Sequence, residues 1–504
     1  MTLAIAVDWN RAKRMSWHWL AVGACLAPFV PAQTPLAWAA WLAPVFLVRF
    51  SRTTHPAVAL PAIGAAMFLA NRMAFRGGFM PGSGGDLYLV LAGIALAYVV
   101  VFAFDRALWR RFGSIVSTLV FPLASTVVGF LATVGNPLGT AGSEAYSQSE
   151  RGLLQIVSIT GIWGLVFLMA WFASVMNAWW EQGFSVRHAR MPPPLFTAVF
   201  LAVVASGSVR LAFFAPAGET VRVAAMAPDR ASTGQGTIIR LGTEQERTES
   251  RAQVAPLIDE LFRRSEREAR AGAEIIAWSE AAARILKEDE ASFMARAQTL
   301  ADEANIYLQV GLSTYRELAG SIQTENRAIL LTPEGRVAWD YHKAKPTPGD
   351  ADQPGPGLVP TIDTPHGKLA TVICQDDLFP GLVSQAGRSG VDILLLPSND
   401  WPAVAEWHSQ VATFRAIENG VAIVRPTARG ISSVTDHTGR TLAYRADYAG
   451  GDEQTLVAAV PTKGAATVYP YTRDAFAYLS VAGLAGLTGL ALIRARAAYP
   501  PESA

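Results

Sequence analysis

Residues 195–214 read LFTAVFLAVVASGSVRLAFF, an apolar run that contains a single charged residue, Arg210. About 20 mostly apolar residues are enough for a helix that crosses a bilayer. Shortly afterwards, residues 221–226 read VRVAAM and are followed by Ala-Pro-Asp, which is typical of a strand in a globular domain. This junction predicts that the chain passes from a membrane part into a globular part.

The composition supports the same division. The chain has 504 residues, which is too many for one ordinary domain. It is 51% hydrophobic and only 16% charged, against about 25% charged in soluble proteins. We expect a membrane domain over residues 1–215, a globular domain over 216–472, and a last span with a tail over 473–504. The net charge of +1 gives no indication of nucleic-acid binding.

Eight apolar runs are candidate membrane spans, seven in the first part and one near the end. Pro28 and Pro44 lie inside the first two, which membrane helices tolerate when neighbouring groups satisfy the freed backbone. The first run resembles a signal peptide, but the seven further runs favour an uncleaved anchor. Buried helices of a soluble core are the alternative, and those rarely reach this length. The runs cover residues 17–30, 34–50, 56–72, 87–104, 114–136, 153–179, 195–214 and 475–493.

The basic residues gather on one side of these runs. Short cytoplasmic loops of membrane proteins are rich in Lys and Arg. We therefore expect cytoplasmic N- and C-termini, a periplasmic globular domain, and a location in the bacterial inner membrane. The rich side holds Arg11, Lys13, Arg14, Arg49, Arg52, Arg106, Arg110, Arg111, Arg187, Arg190, Arg494 and Arg496, and the other side holds Arg72, Arg76 and Arg151.

The globular part alternates strand-like and helix-like segments, which predicts a mixed α/β domain. A segment rich in Pro, Gly and Asp, residues 346–360, fits either a lid or a plain surface loop. The expected helices cover 244–271, 291–305 and 407–419. The expected strands cover 221–226, 275–278, 307–312, 327–331, 337–341, 368–374, 391–396, 421–425 and 431–436.

The chain has two cysteines, and they lie in different parts. Cys25 falls in the first apolar run and Cys374 at the end of an expected strand, so a disulfide between them is disfavoured. Outside the cytoplasm a leftover thiol is a candidate for a reactive group, although buried cysteines are often inert. With no second Cys or close His cluster beside Cys374, we expect no metal. No cofactor is indicated either.

Two charged residues also stand at strand ends. Glu280 closes Ile-Ile-Ala-Trp-Ser-Glu, where a carboxylate can act as a general base; taken alone, it is more typical of a charge or cap at a helix N-terminus. Lys343 closes Trp-Asp-Tyr-His-Lys, where an ammonium can stabilise an oxyanion or lower the pKa of a thiol. Its alternative is an ordinary surface lysine.

In this order and context, Glu280, Lys343 and Cys374 resemble the nitrilase superfamily. With the membrane layout, the chain is similar to the apolipoprotein N-acyltransferase family, a membrane-embedded branch of that superfamily. The resemblance rests on Trp278-Ser279-Glu280, Asn326, Tyr341-His342-Lys343, Val372-Ile373-Cys374-Gln375-Asp376, Ser398-Asn399-Asp400-Trp401, His408, Arg415, Glu418-Asn419-Gly420, Arg425 and Gly430-Ile431-Ser432, and on Gln155, Gly161, Gly164 and Asn177 in the sixth run.

The resemblance implies an αββα sandwich with a Glu-Lys-Cys triad. It implies that Cys374 takes an acyl chain from a membrane phospholipid as a thioester. The N-terminal amine of a diacylglyceryl-cysteine lipoprotein then accepts that chain, in a ping-pong reaction. Glu280 would be the general base and Lys343 the oxyanion stabiliser.

The resemblance also indicates supporting residues. The family has Leu-Val-Pro-Phe-Gly-Glu shortly after its lysine, and here Asp350 stands near the place of that glutamate, one methylene shorter. Asp376 stands where the family often has a glutamate after the cysteine. Asn399 and Trp401 belong to the Ser-Asn-Asp-Trp motif, and Trp401 fits lipid contact or plain packing. Glu418 fits a role in orienting Lys343 or a pair with Arg415 at i, i+3.

Two other functions stay open. The altered Pro-Gly-Asp loop favours, as an alternative, a membrane-anchored amidohydrolase that acts on a small or lipid amide and lets water attack the thioester. A non-catalytic transporter or lipid-binding scaffold is the third possibility. Few ionisable residues lie in the spans, and transport sites usually need them.

Overall fold

The computed structural model describes residues 9–30, 35–75, 84–185, 192–216, 218–228, 239–318, 320–446 and 454–498. Residue contacts divide the chain into two units. The first comprises Met1–Asn136, Gly142–Ser208 and Asp474–Ala504, and the second comprises Pro137–Ala141 and Val209–Arg473. Arg76, Arg187 and Arg190, which entered the prediction of orientation, lie outside the described residues, as do the side chains of Arg11, Lys13, Arg14 and Arg496.

The first unit is helical in the part that the structure describes. Six of its helices are long and apolar enough to cross a membrane: Pro56–Ala74, Tyr88–Arg111, Ser114–Thr133, Ile162–Glu181, Pro192–Phe213 and Ala475–Ala495. The first two expected spans correspond to helices that are not among these six. In chain order the helices are α1 (Trp9–Leu26), α2 (Ala37–Thr53), α3 (Pro56–Ala74), α4 (Gly84–Leu108), α5 (Ser114–Thr133), α6 (Arg151–Leu154), α7 (Val157–Thr160), α8 (Ile162–Glu181) and α9 (Pro192–Phe213), with Ala475–Ala498 as the C-terminal helix.

The sixth expected span, residues 153–179, is not one continuous helix. It is divided into α6, α7 and α8, and Gly161 between the last two has a φ of 59°. Glycine adopts a positive φ without a steric penalty, so the chain can change direction there. The apolar periodicity of the run could not reveal the break.

A buried ion pair joins α2 to α4. Arg52 donates from Nε and Nη2 to the two oxygens of Asp105 at 2.9 and 2.8 Å, and Nη2 also donates to Ser174 of α8 at 3.2 Å. Both charged side chains are almost fully buried. A bidentate pair of this kind has its charges and hydrogen bonds satisfied together, which makes burial tolerable.

The second unit contains two large β-sheets. Its helices are α10 (Glu244–Arg270), α11 (Glu290–Ala304), α12 (Pro380–Arg388), α13 (Ala405–Asn419) and α14 (Tyr469–Thr472). Its strands are β1 (Thr220–Met226), β2 (Ile275–Trp278), β3 (Ala283–Leu286), β4 (Tyr307–Leu318), β5 (Ser321–Leu331), β6 (Val337–His342), β7 (Thr361–Thr364), β8 (Gly367–Thr371), β9 (Ile393–Leu395), β10 (Ser398–Asn399), β11 (Ala422–Arg425), β12 (Thr427–Ala428), β13 (Ile431–Thr435), β14 (Thr441–Ala446) and β15 (Thr455–Pro461).

The sheets follow two orders. One runs β15-β1-β2-β4-β5-β6, with β3 also paired to β4, and the other runs β14-β13-β11-β9-β8-β7. A short parallel pair, β10 with β12, stands apart from both. Parallel pairing of β2 with β4 and of β8 with β9 brings the carboxyl ends of these strands to one edge of each sheet.

The layers of this unit are helix, sheet, sheet and helix. One apolar cluster runs from Val223 and Ala277 on the inner face of the first sheet, through the second sheet, to Leu382 of α12 and Ala416 of α13. A second core packs α10 and α11 on the outer face of the first sheet, through residues such as Phe262. The predicted αββα sandwich, beside a multi-span helical membrane domain, is confirmed.

Local sequence explains two helix limits in this unit. Thr243 caps α10 with a capping box, in which its hydroxyl accepts from the N–H of Glu246 and its own N–H donates to the Glu246 carboxylate. Gly420 ends α13 with a φ of 67°, the left-handed conformation that glycine accepts at a helix end.

Candidate active site

Glu280 and Lys343 form a buried ion pair. Glu280 follows β2 after one intervening residue, and Lys343 directly follows β6 in the same sheet. Lys343 Nζ donates to Glu280 Oε1 at 2.7 Å, and the two residues are only 2% and 5% exposed. Burial by itself lowers the pKa of Lys343, but the charge of Glu280 outweighs it and raises that pKa, so the lysine is an ammonium.

Asn326 of β5 extends this pair. Its Nδ2 donates to Glu280 Oε1 at 2.8 Å and to Asp352 Oδ2 at 2.9 Å. Thr324 also donates to Asp352, which ties the segment after Lys343 to β5. The carboxylate that completes this network is therefore Asp352, which the sequence did not single out.

Asp350, the expected supporting carboxylate, lies in the same loop. Its N–H donates to the carbonyl of Thr347 at 2.9 Å. Burial raises the pKa of Asp350, and the charge of Lys343 opposes that rise. Asp350 thus interacts with the site electrostatically, whereas Asp352 is hydrogen-bonded into it.

Cys374 lies on a tight turn after β8. The strand ends at Thr371, and Cys374 opens a 3₁₀ helix, Cys374–Leu378, rather than closing a strand as expected. Its φ of 46° is uncommon for a residue with a side chain, and its N–H donates to Pro397 O at 2.9 Å. Strained positions of this kind cluster at functional sites.

The thiol of Cys374 is protonated at rest. Burial, followed by the charge of Glu280, raises the pKa of the Cys374 thiol well above its ordinary value, while Lys343 and the N–H of Asn399 oppose this. A thiol in this state needs a base at the moment of attack. Glu280 is a nearby carboxylate that can supply it.

Asp376 connects the cysteine turn with the lysine strand. Its carboxylate accepts from the N–H groups of Ile373 at 3.0 Å and Lys345 at 2.8 Å, and from the Tyr341 hydroxyl at 2.8 Å. The first of these groups precedes Cys374, and the other two flank Lys343. Burial raises the pKa of Asp376 to about 6, and the hydrogen bonds to Ile373 and Tyr341 limit the rise.

A buried series of charged side chains packs against the turn that contains Cys374. His408 shares its Nδ1 with Asp400 at 2.8 Å and its Nε2 with Asp377 at 2.9 Å, and Arg425 donates to Asp400 at 2.9 Å. Burial lowers the pKa of His408, but the two carboxylates outweigh it and raise the pKa to about 9. Asp377 belongs to the 3₁₀ helix that Cys374 opens, so this chain of charges holds the cysteine turn in place.

Ligand atoms of Cys374, Asp400 and His408 lie within 4.8 Å of one another, a grouping that the sequence did not indicate. Both nitrogens of His408 are already engaged by carboxylates, and Asp400 also pairs with Arg425. A metal ion would have to displace these partners and lie beside a guanidinium. The donor set therefore fits an ion-pair network better than a metal site.

The remaining supporting residues differ in whether they contact Cys374. Asn399 contributes its N–H to the Cys374 thiol and accepts from Arg429 Nε at 3.1 Å. Glu418 pairs with Arg415 at 3.2 Å, and both are fully buried. Trp401 is partly buried, and its carbonyl accepts the N–H of Val404.

A segment from between α5 and α6 also reaches the cysteine turn. Gln375 Nε2 donates to Pro137 O at 2.9 Å, and Thr140 donates from both N and Oγ1 to Leu378 O at 2.9 Å. Nothing in the local sequence of Pro137–Ala141 indicated this contact, because it joins residues 238 positions apart.

Together these residues form an arrangement suited to covalent acyl chemistry. A buried thiol stands near a carboxylate that can accept its proton and an ammonium that can hold developing negative charge. Asp376 and the His408 chain tie these groups to one another.

Residues 230–468 match the carbon–nitrogen hydrolase family. The αββα fold and this match place the second unit among carbon–nitrogen hydrolase domains. A solved amidase from Nesterenkonia sp. aligns with 53% of this chain and 97% of its own, at 19% identity and a TM-score of 0.40.

Longer similarities include the membrane part. The chain is 26% identical over 505 aligned positions to an apolipoprotein N-acyltransferase from Geobacter metallireducens, covering 92% of each protein. It is 26% identical over 469 positions to one from Shewanella oneidensis, covering 86% of this chain and 79% of the relative. Over most of its length the chain is therefore similar to apolipoprotein N-acyltransferases, and residues 230–468 carry its carbon–nitrogen hydrolase match.

Proposed function

We propose that this protein transfers an acyl chain from a membrane phospholipid, through a thioester on Cys374, to the N-terminal amine of a diacylglyceryl-cysteine lipoprotein. The observation that carries the proposal is the convergence of Glu280, Lys343 and Cys374 in a chain with six helices able to cross a membrane. Both substrates are lipids, and a membrane part gives them lateral access.

The first half-reaction forms the acyl-enzyme. Glu280 takes the thiol proton as the Cys374 sulfur attacks the ester carbonyl of the phospholipid. The ammonium of Lys343 stabilises the resulting oxyanion. When the intermediate collapses, the carbon–oxygen bond breaks, and Glu280 returns the proton to the glycerol oxygen of the departing lysophospholipid.

The second half-reaction regenerates the thiol. The neutral amine of the lipoprotein attacks the thioester carbonyl, and Lys343 again stabilises the oxyanion. Glu280 accepts a proton from the attacking nitrogen and delivers it to the Cys374 sulfur as the carbon–sulfur bond breaks. The products are an N-acylated lipoprotein and the free enzyme.

The distribution of basic residues supports a periplasmic site. Arg49, Arg52, Arg110 and Arg111 lie at helix ends on the side assigned to the cytoplasm. The proposal therefore includes cytoplasmic termini and a catalytic unit on the periplasmic face of the bacterial inner membrane. Cysteine labelling from outside intact spheroplasts, with single cysteines placed in exposed loops, tests this orientation.

Product analysis tests the transfer. Purified protein is supplied with phospholipid and a synthetic diacylated lipopeptide, beside a Cys374→Ala variant. We expect a triacylated lipopeptide and a lysophospholipid in equal amounts with the wild type alone. Release of free fatty acid without lipopeptide acylation would instead support the amidohydrolase alternative.

A further inference from the structure

An open cleft lies beside the candidate active site. It encloses about 410 Å³, including space open to solvent, and Glu280 and Asn399 line it next to the apolar face of α10, formed by Val254, Leu257 and Ile258. One end of the cleft is therefore close to the reacting groups, and one wall suits a hydrocarbon chain.

Two arginines stand at this cleft. Arg284 of β3 lines it directly, and Arg429 follows Ala428, which also lines it. Arg429 has a φ of 59°, and its Nε donates to Asn399 Oδ1 at 3.1 Å. A residue with a side chain adopts this conformation at a cost, so the fold holds the guanidinium here against a local preference.

Neither the Arg284 nor the Arg429 guanidinium forms an ion pair with a carboxylate in the part of the chain that the structure describes. Among the residues that the structure describes, no Asp or Glu lies within ion-pairing distance of Arg284 or Arg429, and the carboxylates of the site are paired elsewhere. Burial and the positive charge of Arg284 lower the pKa of Arg429, while Asp400, Glu280 and Cys374 oppose this. Two cations held close together favour an anion between them.

We propose that Arg284 and Arg429 bind the phosphodiester of the phospholipid acyl donor while its acyl chain lies along α10. This inference rests on the proposed function, and it adds that the enzyme recognises the phosphate group of the acyl donor. Guanidinium groups bind phosphate oxygens through paired hydrogen bonds. The reacting amine of the lipoprotein substrate carries no negative charge that these two arginines could bind.

The test compares two donors that differ in the phosphate-bearing head group. Phosphatidylethanolamine and a diacylglycerol with the same acyl chains are supplied in mixed micelles to the full-length protein, and the rate of Cys374 acylation is followed by intact mass. The variants are Arg284→Gln and Arg429→Gln, with Arg284→Lys and Arg429→Lys for rescue. Arg316→Gln is the matched control, since Arg316 is exposed and donates to Gln323.

We expect each Gln variant to slow acylation by the phospholipid about tenfold or more, with a much smaller effect on the diacylglycerol. The Lys variants should recover part of the rate, and Arg316→Gln should change the rate with neither donor. An equal loss with both donors, or no loss with the phospholipid, overturns the assignment. Inorganic phosphate that slows both donors equally would indicate a site for the free anion and would also overturn it.

The same experiment separates the two proposals. If the wild type forms no adduct with any phospholipid, the acyl-transfer function itself fails. If the wild type is acylated equally fast by both donors, acyl transfer stands and phosphate recognition fails.

Discussion

Lys343 Nζ lies 2.7 Å from Glu280 Oε1, and both side chains are buried. Each charge therefore compensates the other, and removing one leaves the other buried and unpaired. Breaking such a pair costs about 3–5 kcal/mol. Glu280→Gln keeps the shape of the side chain and an acceptor for Lys343, but it also removes the paired charge, so its acylation rate is measured beside its thermal stability.

Asp352 and Asp350 provide a matched pair of variants. Asp352→Asn weakens the hydrogen bonds that hold Asn326 and Thr324, so we expect acylation of Cys374 to slow by about tenfold. Asp350→Asn should have a smaller effect, because its influence on Lys343 is electrostatic. Single-turnover acylation rates measure both. A larger loss in Asp350→Asn would contradict this assignment.

Asp376 should set an acid limit on activity. Its pKa is raised to about 6, so lowering the pH through 6 protonates the carboxylate and weakens its acceptance of the Ile373 and Lys345 N–H groups. We expect the acylation rate of the wild type to fall below about pH 6. The Asp376→Asn variant should be slower at neutral pH and lack this limb. An unchanged acid limb in the variant would assign it to another group.

His408 should make stability depend on pH on the alkaline side. Its folded-state pKa of about 9 lies above the ordinary value of 6.5, so its contribution is complete below pH 6.5 and is lost as pH rises through 9. The contribution is on the order of 3 kcal/mol. Thermal unfolding in detergent from about pH 6 to about pH 9.5 should show a decline that His408→Asn lacks. Parallel curves for the two proteins would refute this.

Gly139 tests the contact of Pro137–Ala141 with the cysteine turn. Its φ is +54°, and an added Cβ would lie 2.3 Å from Leu378 O. Gly139→Ala should therefore displace the Thr140–Leu378 hydrogen bonds and slow acylation by about tenfold. Gly135→Ala is the control, because Gly135 has a similar φ of +72° with nothing within 4 Å of its Cβ position. Equal effects would indicate backbone strain alone.

Much of the fold could be predicted from local pattern. Apolar length indicated the six helices that can cross a membrane, and strand periodicity placed Glu280 and Lys343 at strand ends, where the structure has them. Six short or peripheral strands were not predicted. β7 and β14 are the outer strands of their sheet and bury little, and β10 and β12 have two residues each, so their hydrophobic pattern is weak; β3 and β15 were also missed.

The parts of the site that escaped prediction depend on long-range contacts. Asp352, rather than Asp350, joins the site because its carboxylate accepts a hydrogen bond from Thr324. Asp377 joins it because its carboxylate contacts His408 on a helix distant in sequence. The positive φ of Cys374 likewise accompanies its N–H contact with Pro397, on a separate segment. Residue type alone does not predict these contacts.

The most direct measurement is the intact mass of the purified protein after incubation with a defined phospholipid, with peptide mapping of the modified residue. We predict one added acyl chain on Cys374 in the wild type, none in Cys374→Ala, and formation slowed by about 10²–10⁴ in Glu280→Gln. Addition of a diacylated lipopeptide should then remove the acyl chain as triacylated product. Acylation at another residue, or an adduct that persists in Cys374→Ala, would contradict transfer through a Cys374 thioester.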